Sequence, residues 1–330
     1  METTPAKLNY RLYNDADKQA IMQLWEMESG WGAITEQQFD DWFLNTPYGN
    51  CLSIVAVNDE DKVVGQIINS PSRIITNGRE IKSLKVAAPV MRSDFRGMPL
   101  SNFDHPAFGM IKASFEIGFR EGYQFAFGYP AFGWLAMFKS FPKIFPNPME
   151  TISLDCFAIS LEDAATFRHP GTTHTINIGN SFSKEYSVLF EEAVKEMNIK
   201  CTVKREPGWL GYVLADHLIL ELRNTENILE GYAAINKKSG LLIDILAKNI
   251  ETLAVTYQTV VFALHQHNPE SIKLPFNKLK GMLTGIAAAS IEKIIYIKEN
   301  YQFAYGGFLL DTSIPFEELT ASQWYMTPIS

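Results

Sequence analysis

The stretch Val90-Met91-Arg92-Ser93-Asp94-Phe95-Arg96-Gly97-Met98-Pro99-Leu100-Ser101 decides how this chain is read, because an apolar strand there runs into a basic, glycine-containing turn ahead of a helical pattern. A turn of this kind aims successive backbone N–H groups and a helix N-terminus at one point. That is how a chain holds a pyrophosphate without one side chain per oxygen. Pro99 brings no N–H to such a cradle, although proline suits the first position of a helix, where the N–H is an orphan in any case.

Upstream of the turn, residues 51–57, 63–76 and 79–92 are rich in Val, Ile and Ala. They are separated by Asn58-Asp59-Glu60-Asp61 and by Asn77-Gly78, a strong hairpin signal, and so predict a three-stranded meander. Before them, Asn14 and Asp15 can cap a helix carrying Ala20, Ile21, Leu24 and Trp25 at helical spacing. Thr35-Glu36-Gln37-Gln38 fits a capping box for a second helix with Phe39, Trp42 and Phe43 on its face. Downstream, the pattern predicts a helix over 106–121, a strand over 123–129, a short helix over 130–141 and a strand over 151–159.

Residues 160–182, with His169-Pro170-Gly171-Thr172-Thr173, read as a connector. Beyond it come a helix near 184–197, strands near 210–222, 227–236 and 241–247, and a long helix at 249–266. A short strand at 271–276, a helix near 277–289 and strands near 293–298 and 302–311 complete the pattern. Each half places a helix before a meander and then alternates helix and strand, which predicts a duplicated α/β (α+β) architecture. The expected division is a domain over 1–160, a connector over 161–182 and a second domain over 183–330.

At 330 residues, 46% hydrophobic and 20% charged, the chain has enough apolar material for packed cores, which excludes a disordered reading. A net charge of −8 and the lack of a basic stripe work against nucleic acid. Cys51, Cys156 and Cys201 are odd in number and far apart, so they build neither a disulfide framework nor a CxxC metal site and read as buried free thiols. His265 and His267 stand two apart on a helix and face different ways, so no metal is expected. The N-terminus lacks a leader pattern, and no apolar run approaches the roughly 18 residues of a membrane span, so a cytoplasmic protein without membrane contact is expected.

With this order in place, residues 8–158 resemble the GNAT superfamily of acyl-coenzyme A-dependent N-acyltransferases. The whole chain is similar to its tandem-domain bacterial members. Val90 to Gly97 resembles the segment written V-x-H-P-x-Y-R-G, and Gly122-Tyr123-Gln124-Phe125-Ala126-Phe127-Gly128-Tyr129-Pro130 resembles G-x-x-F-x-x-G-F-P. Arg11, Asp15 and the apolar positions up to Trp25 resemble the opening strand and helix. Trp42-Phe43-Leu44-Asn45-Thr46-Pro47-Tyr48-Gly49 resembles a segment of large two-domain members. Lys204 to Tyr212, Gly231-Tyr232 and Ile243-Asp244-Ile245-Leu246 resemble their degenerate second domain.

The resemblance implies two tandem GNAT-like domains, each a mixed, mostly antiparallel twisted sheet flanked by helices, with the acetyl-coenzyme A site in 1–160. It implies a splay between the strand ending near Arg92 and the strand at 123–129, with the pantetheine arm in the gap and the pyrophosphate on the amides of 97–102. Val90, Met91, Arg92, Arg96, Gly97, Met98, Leu100, Ser101, Asn102 and Phe138 would then bind acetyl-coenzyme A as co-substrate. The amine of a small molecule or sugar would attack the thioester directly, its carbonyl polarised by the amide near Met91.

The chain departs from the family pattern at three places. Pro99 stands where the cradle has Gly, and the interval from Arg96 to Gly122 is longer than the resemblance implies, with Pro106 offering a second helix start. Ala131 and Phe138 stand where an Asn and a thiolate-protonating Tyr are often carried. Tyr129 and His105 are the candidate substitutes, and Glu28, Glu150 and Asp155 are weaker candidate bases. Phe125, Phe127, Tyr129, Phe132, Trp134, Phe138 and Phe141 suit an acyl pocket or, at strand-then-helix spacing, an ordinary core. Two other readings stay open: a GNAT-fold binding or scaffold protein that has lost coenzyme A, and a Fem-type aminoacyltransferase, disfavoured by the acidic charge.

Overall fold

The computed structural model describes residues 8–87, 89–97, 103–130, 134–154, 156–160, 174–266, 276–282, 298–299 and 304–327. β1 (Asn9–Leu12) leads into α1 (Lys18–Glu28) through a reciprocal cap, in which Asn14 accepts from the Ala16 N–H and Asp17 accepts from the Asn14 N–H. Arg11 donates to both oxygens of Asp17, at 2.7 and 2.9 Å, and so ties the strand to the cap. α2 (Glu36–Phe39) starts at the Thr35–Gln38 capping box and continues as a wider turn over Asp40–Leu44. β2 (Leu52–Val57), β3 (Val63–Thr76) and β4 (Arg79–Val86) form the expected meander, with Asn77 and Gly78 at positive φ between the last two.

The remaining elements of this part are β5 (Val90–Met91), α3 (Pro106–Arg120), β6 (Phe125–Gly128), α4 (Leu135–Ser140) and β7 (Met149–Ser153). Alternation along β2 and β3 divides the core between the two sheet faces. Ile54 and Ile67 meet Phe108, Ile111 and Phe115 of α3. Val55 and Ile68 meet Ile21 and Trp25 of α1 with Phe39 and Phe43.

Next come β8 (Cys156–Ser160), β9 (His174–Gly179), α5 (Lys184–Glu196), β10 (Cys201–Val203) and α6 (Pro207–Val213). β11 (His217–Asn224), β12 (Leu229–Asn236) and β13 (Leu241–Ala247) form a second meander. α7 (Ile250–Gln266), β14 (Lys278–Met282), β15 (Lys298–Glu299) and β16 (Ala304–Leu309) follow.

Two compact units result, and neither is a continuous half of the chain. The first gathers residues up to 73, 81–152 and 304–316, and the second holds 74–80, 153–303 and 317 onward. In the first, the strands run β1-β2-β3-β4-β6-β16-β7, with β4 parallel to β6 and β16 antiparallel to it. In the second they run β15-β8-β14-β13-β12-β11-β9, with β13 parallel to β14 and β8 antiparallel to it. The topologies match: a meander, a helix, a parallel strand, then an antiparallel strand. In each unit that last strand comes from the far side of the connector in sequence.

Several boundaries differ from the sequence expectations. Residues 174–179, assigned to the connector, are a strand paired with β11. The strand expected near 210 begins at His217, because Pro207 at the first helical turn starts α6 instead. Residues 278–282 form a strand rather than a helix, fixed by parallel pairing to β13 that no local period announces. The single strand expected over 151–159 is two, β7 and β8, one in each unit. The three cysteines are free and buried. Among the described residues no helix is long and apolar enough to cross a membrane.

Candidate functional site

The sheet of the first unit opens at one place. β4 keeps parallel register with β6 at Ser83↔Phe125, Leu84↔Ala126 and Lys85↔Phe127. Past Val86 the chain stays on β3, through the Ala87 N–H to Ile68 O bond at 2.9 Å and the pairs Gln66↔Val90 and Gly65↔Met91. β5 and the end of β6 therefore part. At the apex stands Gly128, where a Cβ would lie 2.9 Å from the Val86 carbonyl oxygen, so the two backbones approach as closely as a glycine allows.

Two cavities flank the gap. One, of about 100 Å³, is walled by Val86, Gly128, Tyr129, Ile111, Phe138 and Phe308. The other, of about 440 Å³, is lined by Trp25, Glu28, Trp31, Met91, Arg96 and His105, among others. Ala87, Pro89 and Trp134 line both.

Strand register decides which backbone groups reach this space. The Arg92 N–H bonds Val64 O at 2.9 Å, so Arg92 and Val90 turn their backbones to β3, and Met91 between them turns both N–H and C=O toward the gap. The Met91 carbonyl is then taken by Arg96 Nε at 2.8 Å. Arg96 Nη2 reaches Glu28 O at 2.8 Å and Glu28 Oε2 at 2.6 Å. The other carboxylate oxygen of Glu28 accepts from the Ser93 N–H at 3.0 Å and the Ser93 hydroxyl at 3.2 Å. Arg92 makes a fork-to-fork pair with Asp94, at 3.1 and 2.7 Å.

Both arginines assigned to the cofactor thus carry internal carboxylate partners. Val90 turns its backbone to β3, and its side chain packs against the core under α1 and lines the larger cavity. Gly97 is exposed, and a Cβ there would meet nothing within 4 Å. Met98, Leu100, Ser101 and Asn102 lie outside the described residues, as do Pro99, Ala131 and Asp155.

α3 begins at Pro106, the later of the two starts the sequence offered, with His105 as its cap. His105 is buried, and its Nδ1 accepts from the Ala107 N–H at 3.1 Å. With Nδ1 accepting, the neutral ring carries its proton on Nε2, a tautomer assigned from this bond. Burial pushes the His105 pKa below its ordinary value, which keeps that neutral form at pH 7. Tyr129 is half-buried at the end of β6, with Lys85 Nζ 5.7 Å from its ring centroid. Phe138 is both cavity wall and core, its ring centroid 5.8 Å from that of Phe141 and 5.3 Å from that of Phe308. His105 and Tyr129 line different cavities, and Glu150, in β7, lines neither.

Sequence reasoning passed over Trp31 and Gln66, and read Trp25 only as a core position of the first helix. Trp25 is fixed by its indole N–H, which donates to Gln66 Oε1 at 2.7 Å inside the core. Trp31 stands edge-on to it, at 5.4 Å and 71°. The available signal was Gly30-Trp31-Gly32, an aromatic residue between two glycines just past the first helix.

No protein-family model matches the chain, and no curated protein matches it in sequence. Solved structures do match. A GCN5-related N-acetyltransferase from Anabaena variabilis superposes with a TM-score of 0.62 at 12% identity, over 92% of this chain and 73% of that one. A probable N-acyltransferase from Enterococcus faecalis gives 0.61 at 12%, with the same coverage. N-myristoyltransferase from Saccharomyces cerevisiae, with bound myristoyl-CoA, gives 0.56 at 9%, over 94% and 80%. At such identities the likeness is one of fold, and it runs through both units: the chain has the fold that these GCN5-related and other acyltransferase structures share.

Proposed function

We propose that the protein is an acyl-coenzyme A-dependent N-acyltransferase that carries an acetyl group to an amine of a small molecule or sugar, with the reaction run in the first unit. The observation that carries this reading is the parting of β5 from β6 at Gly128, with the Met91 N–H turned into the opening. A strand amide there is a hydrogen-bond donor for a thioester carbonyl and for the oxyanion that forms when the amine adds.

The fit to coenzyme A is good along the gap, which is apolar, narrow and edged by backbone. It is poorer for the phosphates, since Arg92 and Arg96 already hold carboxylates. In the reaction the amine nitrogen bonds to the thioester carbon, the carbon–sulfur bond breaks, and the departing sulfur takes a proton. His105 Nε2–H and the Tyr129 hydroxyl are the donors proposed for it. Titration calorimetry with coenzyme A and acetyl-coenzyme A tests the reading. Binding is expected, and Gly128→Ala, whose Cβ meets the Val86 carbonyl oxygen at 2.9 Å and so shifts the apex, is expected to weaken it at least tenfold, with circular dichroism and the urea midpoint separating this from unfolding. No heat and no thermal shift at millimolar ligand would remove the reading.

One observation favours a second reading, a coenzyme A-free binding or scaffold protein: the internal pairing of both arginines. Pro99→Gly separates the two, because a merely weakened site gains affinity for coenzyme A and a lost one does not.

A further inference from the structure

Trp25 and Trp31 meet at 71°, with ring centroids 5.4 Å apart, so their planes form two walls of a corner in the 440 Å³ cavity. Trp134 is the third indole of its lining. Trp25 is locked by its bond to Gln66 and by burial. Trp31, by contrast, is 75% exposed. What matters is its place: Trp31 carries the indole wall of the cavity, with Trp25 and Trp134, out to the solvent, so that a ligand can reach it.

The loop that carries Trp31 is held in place. Gly30 at φ 78° and Gly32 at φ 85° bracket Trp31 in the left-handed region, where a side chain would be strained. The Trp31 N–H donates to Ser29 Oγ at 3.0 Å, and that hydroxyl donates to Trp25 O at 2.6 Å. The backbone of one indole is thereby pinned to the backbone of the other.

The charges in the lining say what the corner suits. Glu28 is the one carboxylate among the described lining residues, and its oxygens are taken by Ser93 and Arg96. An amine arrives at neutral pH as an ammonium ion, and no uncommitted carboxylate is there to receive it. Indole faces are the remaining attraction for a cation. The net charge of −8 draws cations toward the protein in general.

We propose that this cavity is an aromatic cage that selects ligands carrying a localised positive charge, with Trp31 as its specificity-determining wall. Identifying that ligand with the acyl acceptor rests on the N-acyltransferase reading, whereas the cage itself does not.

The test uses the full chain and two probes of equal shape: choline, and 3,3-dimethylbutan-1-ol, in which carbon replaces the charged nitrogen. Calorimetry and tryptophan fluorescence read binding without any acyl transfer. Choline is expected to bind at least tenfold more tightly than the alcohol. Trp31→Ala, at an exposed position, is expected to leave the circular dichroism unchanged and to cost choline affinity about three- to tenfold, with Trp31→Phe in between. Equal affinity for the two probes, no choline binding, or indifference to Trp31→Ala overturns the cage. Loss of coenzyme A binding with choline discrimination intact removes the acyltransferase reading and leaves the cage; the reverse result removes the cage alone.

Discussion

Gln66→Leu is the sharpest probe of how the cavity wall is held. Gln66 is 1% exposed; its Oε1 accepts from the Trp25 indole N–H at 2.7 Å, and its Nε2 donates to Ser53 Oγ at 2.8 Å. Leucine fills nearly the same volume and offers neither group. Trp25 and Ser53 are buried too, so water does not replace the lost partner at the indole. An orphaned buried donor costs about 1–3 kcal/mol, and the Ser53 hydroxyl can turn to limit its own share, so a loss of about 2 kcal/mol is expected. For a unit of this size that is a fall in Tm of about 4–8 °C. The decisive assay is a double-mutant cycle in urea. Trp25→Phe alone strands Gln66 Oε1, whereas Trp25→Phe with Gln66→Leu removes both ends of the bond. The double variant should therefore lose at least about 1 kcal/mol less than the sum of the singles. Additive losses, or a Gln66→Leu variant within about 0.5 kcal/mol of the parent, would refute the claim that this bond fixes the wall.

Three further outcomes follow from the same contacts. Because burial lowers the His105 pKa, the unfolded chain binds that proton more readily than the folded one, so stability is full above about pH 6.5 and falls as pH drops below it. His105→Asn keeps a helix cap and should narrow the difference in urea midpoint between pH 7.5 and 5.5; an unchanged difference counts against the buried neutral ring. In the second unit, fully buried Arg205 donates to Asp244 at 3.0 and 2.9 Å, and Tyr232 and Thr327 donate to the same carboxylate, so Asp244→Asn should cost about 3–5 kcal/mol by calorimetry, with Arg205→Met/Asp244→Leu recovering much of it. Residues 1–160 expressed alone lack β16, and with it Phe308, whose ring lies 4.9 Å from Phe115. The fragment should bind a hydrophobic dye and show no sharp melt, and a cooperative transition in it would contradict the strand assignment.

What the sequence disclosed and what it withheld divide by the range of the interaction. The caps at Asn14 and Thr35 and the Asn77-Gly78 hairpin are made by neighbours in sequence, and all three stand where the residue types put them. β16 beside β6 and β8 beside β14 pair segments more than a hundred residues apart, and edge-to-edge hydrogen bonding leaves no local mark. The site divides in the same way. Pro106 as a helix start was legible because proline favours the first turn. The tie between Trp25 and Gln66 and the tie between Glu28 and Arg96 were not, since one joins the end of α1 to β3 and the other joins it to the turn after β5, and only the folded sheet brings these near. Arg96 is a cofactor ligand only on the family resemblance; its partners in the structure, Met91 and Glu28, lie on the strand and helix beside it.

That arrangement also bears on where the amine's proton goes. Met91 turns a donor and an acceptor into the gap, and a bare carbonyl there would repel the oxygen of a thioester. Arg96 Nε covers that carbonyl, so the edge presents its N–H alone. Glu28 holds Arg96 in this position with its backbone and one carboxylate oxygen, while the other oxygen fixes Ser93. On this reading Glu28 serves as a positioning residue, its charge paired with the Arg96 guanidinium. His105 is likewise committed: its Nδ1 lone pair caps α3, and its Nε2 carries the proton. Of the titratable side chains lining the larger cavity among the described residues, Arg96 has no lone pair to offer, His105 has given its Nδ1 lone pair to the helix cap, and Glu28 is held in an ion pair with Arg96. With Glu28 paired to Arg96, the proposed reaction sends the acceptor's proton to water, so the pH profile of kcat/KM is expected to follow the acceptor amine's own pKa; a profile that Glu28→Gln shifts would refute this and make Glu28 the base.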